Sequence, residues 1–240
     1  MLKATVLVAL TLLWLPAQAA DSNAGYQSRR PTTDGTGKLY MGREIAPVMG
    51  WQAADWLERP EREEEERVSE LIAELKLQPG MVVADIGAGS GYTTRRIAPV
   101  LGPRGKVLAV DIQPQMVELI RKLPRIAGAA PIEAVLSSAT DTRLPPASVD
   151  LAFMVDVYHE LDHPHEMLES LVRALKPGGQ VVFVEYRAED AAVPIKTLHK
   201  MSERQIRLEA AQHSLTWDRT SQRLPWQHMV FFRKSSAAAP

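Results

Sequence analysis

Two rhythms of apolar and polar positions divide this chain. Behind Pro60 and the acidic run Glu61 to Glu66, the apolar residues Val68, Leu71, Ile72 and Leu75 recur at helical spacing. Negative charge suits the positive end of a helix, so the spacing predicts one helix with a solvated acidic start, stopped by Leu77-Gln78-Pro79-Gly80. From Met81 short, nearly continuous apolar runs take over, at 82–86, 106–110, 132–136, 149–155 and 180–185. Helical patterns lie between them at 92–100, 114–123 and 164–175. Strands this apolar must be covered on both faces, which predicts an α/β fold with a parallel sheet and helices on each side. After Ser202 a helix leads into strand-like runs at 215–219 and 227–232, joined around Leu224-Pro225 as a closing antiparallel hairpin.

The flanks break this rhythm. Residues 20–38, including Arg29-Arg30-Pro31-Thr32-Thr33-Asp34-Gly35, are polar and turn-rich and predict a flexible leader. Residues 39–60 carry Tyr40, Met41, Ile45, Trp51 and Trp56. They predict a cap segment packed on the main body, covering core or forming the lid or wall of a substrate pocket. The Ala-rich end, 234–240, predicts a disordered tail. At the other end Lys3, the uncharged run Ala4 to Leu15 and Ala17-Gln18-Ala19 predict a signal peptide over residues 1–19, hence a periplasmic or secreted protein. The apolar run falls short of the roughly 20 residues needed to span a bilayer, so no membrane span is expected after cleavage.

Composition narrows the function classes. With 240 residues and 45% hydrophobic positions the chain can bury a sizeable core. A net charge of −1 gives no electrostatic footprint for nucleic acid, and none is expected as a partner. The absence of cysteine excludes disulfides, a thiol nucleophile and cysteine-ligated zinc.

The candidate chemistry gathers at Asp85-Ile86-Gly87-Ala88-Gly89-Ser90-Gly91. A strand ending in such a turn lays bare backbone at the carboxyl edge of a sheet, and the next helix offers its free N–H groups to a ligand. The dinucleotide fingerprint G-x-G-x-x-G is not met, because Tyr92 stands where its third glycine belongs. That disfavours a nicotinamide-dependent oxidoreductase. Asp85 is placed to accept a hydrogen bond from a ligand ammonium. Asp111, ending the second strand about 20 residues after the glycines, stands where an acid binds both hydroxyls of a ribose.

With these residues in place the chain resembles the class I S-adenosylmethionine-dependent methyltransferases, particularly the small-molecule branch related to quinone-biosynthesis enzymes. The resemblance spans residues 61–233. It rests on the glycine turn from Val83, on Val110-Asp111, on Leu144-Pro145-Pro146-Ala147-Ser148-Val149-Asp150 and on Leu171-Val172-Arg173-Ala174-Leu175-Lys176-Pro177-Gly178-Gly179. It implies a Rossmann-like, seven-stranded, mostly parallel sheet with an antiparallel last strand. It also implies S-adenosylmethionine as cofactor and a small-molecule methyl acceptor. Asp85 and the turn Gly87, Ala88, Gly89 and Gly91 would hold the methionine part, Asp111 the ribose, and Ile112 would flank the adenine. Asp141 stands nearest the acid expected at the adenine edge, though out of the usual Gly-Asp register. Asp156, after the fourth strand, completes the cofactor-binding set.

Beyond that strand Tyr158 is expected to shape the acceptor pocket and His159, with its ordinary pKa, to act as general base. His199, Lys200 and His228 are further candidates to face the pocket. His159, His163 and His165 stand among Asp156, Glu160 and Asp162, but Pro164 interrupts them and their spacing matches no compact motif such as H-E-x-x-H. They read as a solvated turn and helix start, and no metal is expected. Function then follows as in-line methyl transfer to a small acceptor, or as non-catalytic binding of S-adenosylmethionine or its demethylated product in the exported compartment.

Overall fold

A computed structural model describes residues 25–235, so the expected signal peptide and residues 20–24 and 236–240 lie outside the described residues. The described chain enters through a small antiparallel sheet of β1 (Tyr26–Ser28), β2 (Lys38–Tyr40) and β3 (Arg43–Glu44). This corrects the flexible leader expected over 20–38 for its described part, residues 25–38. Tyr26 Oη donates to Glu166 at 2.6 Å, and buried Glu44 accepts from Arg29 and from the Thr32 and Gly37 amides. Polar composition concealed a segment ordered by ion pairs and turn hydrogen bonds rather than by apolar burial.

Two short helices, α1 (Ala54–Leu57) and α2 (Arg62–Glu66), precede α3 (Val68–Glu74). The single helix expected behind Pro60 is broken at Arg67, whose φ of 50° is left-handed. The break lets α3 press Leu71 and Leu75 onto the sheet while α2 turns inward. There Glu66 is buried and paired with Arg62 at 2.7 Å and Arg59 at 2.6 Å, not solvated as expected.

Strand and helix then alternate. The elements are β4 (Val82–Ile86), α4 (Thr94–Leu101), β5 (Lys106–Asp111), α5 (Pro114–Arg121), β6 (Ile132–Leu136), β7 (Val149–Val155), α6 (Pro164–Ala174) and β8 (Leu175–Tyr186). The closing part is α7 (Glu203–Ala210), β9 (Leu215–Ser221) and β10 (Gln227–Lys234). Ser202 caps α7 by accepting from the Gln205 amide at 3.1 Å. Lys234 ends β10 and the Ser235 amide bonds the Ser214 carbonyl, so the first two residues of the expected tail are ordered. The seven strands lie in the order β6-β5-β4-β7-β8-β10-β9, and only the pairings made by β10 are antiparallel. This is the Rossmann-like sheet the sequence predicts.

Alternation along the strands builds two cores. Ala152, Met154, Val181, Phe183, Val230 and Phe232 face Leu168 and Leu171 of α6 and Ile206 and Ala210 of α7. Their neighbours Leu151, Phe153, Val182, Val184, Met229 and Phe231 face Leu71 of α3, Leu75 at its C-cap, and Ile97 and Leu101 of α4. With both faces dry, a ligand has access only at the strand ends. The chain leaves β4 toward β5 on one side and later returns to β7 on the other, so the carboxyl end of β4 is the topological switch point where α/β sheets bind ligands. Among the described residues no helix is long and apolar enough to cross a membrane.

Candidate functional site

The turn after β4 is shaped by close approach. Gly87 and Ala88 both donate their amides to the Val110 carbonyl, at 2.8 and 3.0 Å, which folds the turn over the end of β5. Gly87 and Gly89 have φ of 70° and 56°; a Cβ on the first would lie 2.5 Å from Val157 and on the second 2.7 Å from Leu57. Only glycine fits either place. Asp111, at the tip of β5, accepts from the Gly89 amide through Oδ2 and from the Gln113 amide through Oδ1, each at 2.9 Å. Each oxygen keeps a second acceptor position for a ligand hydroxyl. Burial raises the pKa of this carboxyl against the lowering by its backbone donors.

Asp85 lies one layer deeper. Its side chain is buried and accepts from Thr94 Oγ1 at 2.6 Å. Burial pushes its pKa up to about 7, against the pull of Thr94 and of the Arg62 guanidinium. The carboxylate therefore sits beneath the turn with no cation bonded to it.

Residues 46–58 strap across this edge of the sheet. The Gln113 side chain donates to the Met49 carbonyl at 2.9 Å and accepts from the Trp51 amide at 2.8 Å. The Met49 amide donates to Glu160 at 3.1 Å, and Glu58 accepts from Ser90 Oγ at 2.5 Å and pairs with Arg95. The strap is thus tied to the loops after β4, β5 and β7. Beneath it lies a cavity of about 440 Å³, within the range of small-molecule sites. Val48, Met49, Trp56 and Leu57 of the strap wall it on one side, and Gly87, Gly89, Asp111 and Ile112 form its floor.

The loop after β7 supplies the other end. Asp156 is held at φ of 54°, a strained value for a non-glycine residue at a cavity wall. Gln227 donates to its Oδ2 at 3.2 Å, whereas its buried Oδ1 has no partner. Burial, with Glu66 and Glu185 nearby, raises its pKa. His159 bonds through Nδ1 to Glu185 of β8 at 2.6 Å, while the Tyr158 amide donates to the other Glu185 oxygen at 2.8 Å. His159 Nε2 lies 3.0 Å from His199 Nδ1. Burial alone would lower the His159 pKa, but Glu185 and Glu160 outweigh it and hold it up at about 10. Burial alone would raise Glu160, which His159 and His199 instead hold down at about 2.

Of the residues expected at the site, Gly87, Gly89, Asp111, Ile112, Asp156 and His159 line the cavity. Asp85, Ala88 and Gly91 form the layer beneath it, off its walls. Three expectations need correction. Asp141 turns away: it accepts from Ser170 at 2.9 Å and pairs with Arg173, and Ser137 and Ala139 face the cavity in its stead. Tyr158 points into the core, its ring edge-on to Phe183 at 4.8 Å, and shapes no pocket wall. His159, held as an imidazolium, is not the free base its ordinary pKa suggests. Lys200 spends its ammonium on the Asp190 and Val193 carbonyls, and His228 is buried off the cavity; His199 does line it. Sequence reasoning passed over Arg62, Gln113 and Lys196, whose polar character alone gave no signal; all three line the cavity.

Comparison with known proteins places this geometry. A family described as a methyltransferase domain matches residues 84–183. The ubiquinone/menaquinone biosynthesis C-methyltransferase UbiE of Ectopseudomonas mendocina is 31% identical over 111 residues, which cover 46% of this chain and 43% of that protein. Its counterpart in Burkholderia vietnamiensis is 30% identical over 115 residues, 48% of this chain and 47% of the relative. The chain thus spans less than half the length of the curated relatives it matches. Among solved structures, a SAM-dependent methyltransferase from Aquifex aeolicus superposes with a TM-score of 0.71 at 26% identity, covering 78% of this chain and all of that one. The [4+2]-cyclase SpnF shares the fold at a TM-score of 0.59 and 15% identity, over 71% of this chain and 81% of its own.

Proposed function

From a methyltransferase domain of the S-adenosylmethionine-dependent class, we propose that the whole chain is an exported enzyme that methylates a small molecule. The observation that carries this reading is Asp111, pinned by two backbone amides with one acceptor position free on each oxygen, on the floor of a roofed cavity. Such a carboxylate suits the paired hydroxyls of a ribose. The unpartnered Asp156 Oδ1 suits an ammonium donor, and the glycine turn admits a ligand to the main chain. When bound, the cofactor supplies a methyl group on a sulfonium, an electrophile that needs no acid to activate it.

The chain's own residues orient and enclose. Asp111 and Asp156 fix the adenosyl and methionine ends. Met49, Trp56 and Leu57 exclude water above the floor, while Val157, Ile195 and Leu161 give the acceptor end apolar walls. Holding two reactants in line in such a pocket removes much of the entropic barrier to displacement. The name of the UbiE relatives supports a ring compound of the quinol kind, methylated at carbon. Lys3, the apolar run and Ala17-Gln18-Ala19 support export.

Calorimetry with S-adenosylmethionine and its demethylated product tests the reading. Binding of both is expected, and Asp111→Ala weakens it by about 100-fold, the loss of two charge-assisted hydrogen bonds. Absence of binding at about millimolar ligand, a negligible affinity for such a site, overturns it. Binding without methylation of any phenol or quinol in a broad panel points to a sensor in place of an enzyme.

A further inference from the structure

One cluster in the cavity does more than the cofactor requires. His159, Glu160 and His199 bring one ring nitrogen, one carboxylate oxygen and a second ring nitrogen to a common point. The three separations are 3.0 Å between His159 Nε2 and His199 Nδ1, 3.3 Å between His199 Nδ1 and Glu160 Oε1, and 3.7 Å between His159 Nε2 and Glu160 Oε1. Ligands held at about 2.05 Å around a tetrahedral ion stand about 3.3 Å apart, the middle of that set. The triangle therefore already has the dimensions of a coordination face.

Its supports have the same character. His159 gives Nδ1 to Glu185, a carboxylate buried at the end of β8 and fixed by the Tyr158 amide, which leaves Nε2 turned to the cavity. A ligating histidine backed by a carboxylate in this way is the usual outer shell of a metal centre. Glu160 is held from behind by the Met49 amide of the strap through its other oxygen, leaving Oε1 for the triangle. All three side chains line the cavity, so the side of the triangle away from the protein is open to a small molecule.

We propose that His159 Nε2, His199 Nδ1 and Glu160 Oε1 bind one divalent transition-metal ion, Zn²⁺ foremost, whose open position faces the cavity and takes water or an acceptor hydroxyl. Two imidazoles and one carboxylate suit borderline ions such as Zn²⁺ and Fe²⁺, with His159 releasing its Nε2 proton to solvent as the ion binds; Mg²⁺ and Ca²⁺ call for oxygen-rich sites. Sequence spacing conceals the set because His199 enters 40 residues after His159. Only the part concerning the acceptor hydroxyl rests on the methyl-transfer reading; ion binding stands without it.

The test uses the untagged chain, stripped with chelator and titrated with Zn²⁺ in the absence of any adenosyl ligand. One ion per chain is expected, with a rise in melting temperature of about 5 °C or more at saturation, and no response to Mg²⁺. His199→Ala, on a partly exposed turn, weakens binding by about 100-fold or more, and Glu185→Gln by about 10–100-fold. Asp111→Ala, which removes the cofactor's ribose contact, leaves Zn²⁺ affinity unchanged, so failure of the metal site and failure of the cofactor site are read separately. No stoichiometric Zn²⁺ in the wild-type chain, or equal affinity in His199→Ala, overturns the proposal.

Discussion

Replacing Asp85 with asparagine should stabilise the ligand-free fold and weaken cofactor binding together. The carboxyl is buried beneath the glycine turn, and burial lifts its pKa from 3.8 to about 7. A group held above its unfolded value lends stability while protonated; that contribution is complete below about pH 4 and is lost as pH rises through about 7. A carboxyl raised that far contributes at most about 4 kcal/mol between its fully protonated and fully ionised limits. Asparagine keeps the volume and can still accept from Thr94, but has nothing to ionise.

Urea unfolding of both proteins at pH 5 and pH 8 checks this, with the difference between them isolating Asp85 from every other acid. Near pH 5 the variant should be more stable than the wild type by at most about 2 kcal/mol, and at pH 8 by at most about 4 kcal/mol. Affinity for S-adenosylmethionine at pH 8 should fall by about 10-fold, because the neutral amide lacks the negative charge that attracts a cationic ligand from beneath the turn without touching it. Parallel loss of stability in both proteins between the two pH values, or a less stable variant at pH 8, would refute the assignment of a buried, cation-starved carboxylate.

Two further outcomes follow from the turn and its surroundings. Gly89→Ala places a Cβ 2.7 Å from Leu57 at φ of 56°, so stability should fall by about 1–3 kcal/mol in urea titration. Adding Leu57→Ala should return the part due to the clash and leave the backbone part. Asp141→Ala touches a side chain bonded to Ser170 and Arg173 off the cavity, so calorimetry should show adenosyl affinity within about 2-fold of wild type. A tenfold loss there would restore Asp141 to the adenine edge.

What the sequence made legible was set by periodicity. Strands 82–86 and 149–155 were readable to the residue because central strands of a sheet covered on both faces need nearly continuous apolar runs, and the edge strand 132–136 because Ile132, Ala134, Val135 and Leu136 still outweigh exposed Glu133. Asp111 and the glycines were readable because strand end, turn and acid lie close in the chain. Where polar groups do the ordering, the signal vanished: β1 depends on Tyr26 reaching Glu166 across 140 positions. The break at Arg67 was hidden because α2 and α3 share one helical pattern but serve two partners, the buried Glu66 network and the sheet. Around residue 158 the sequence named the right segment but not the facing. Val157 and His159 line the cavity while Tyr158 between them enters the core, a parity that only the loop's path decides.

The misplaced and the well-placed residues share one electrostatic logic. Asp111, Asp156, Glu160 and Asp162 stand on the cavity walls against Arg62 and Lys196, and Arg62 is already committed to Glu66. Asp85, Asp111 and Asp156 all have raised pKa values, with burial as the largest cause in each. Acids shifted in that direction are acids for which the fold provides too little positive charge. The sheet edge is therefore less stable empty than its packing alone would make it, and a ligand carrying a sulfonium and an ammonium supplies the missing charge. Strain in the empty site and affinity for the adenosyl ligand are then two consequences of one arrangement of buried carboxylates, and a substitution of Asp85, Asp111 or Asp156 that eases the first should weaken the second.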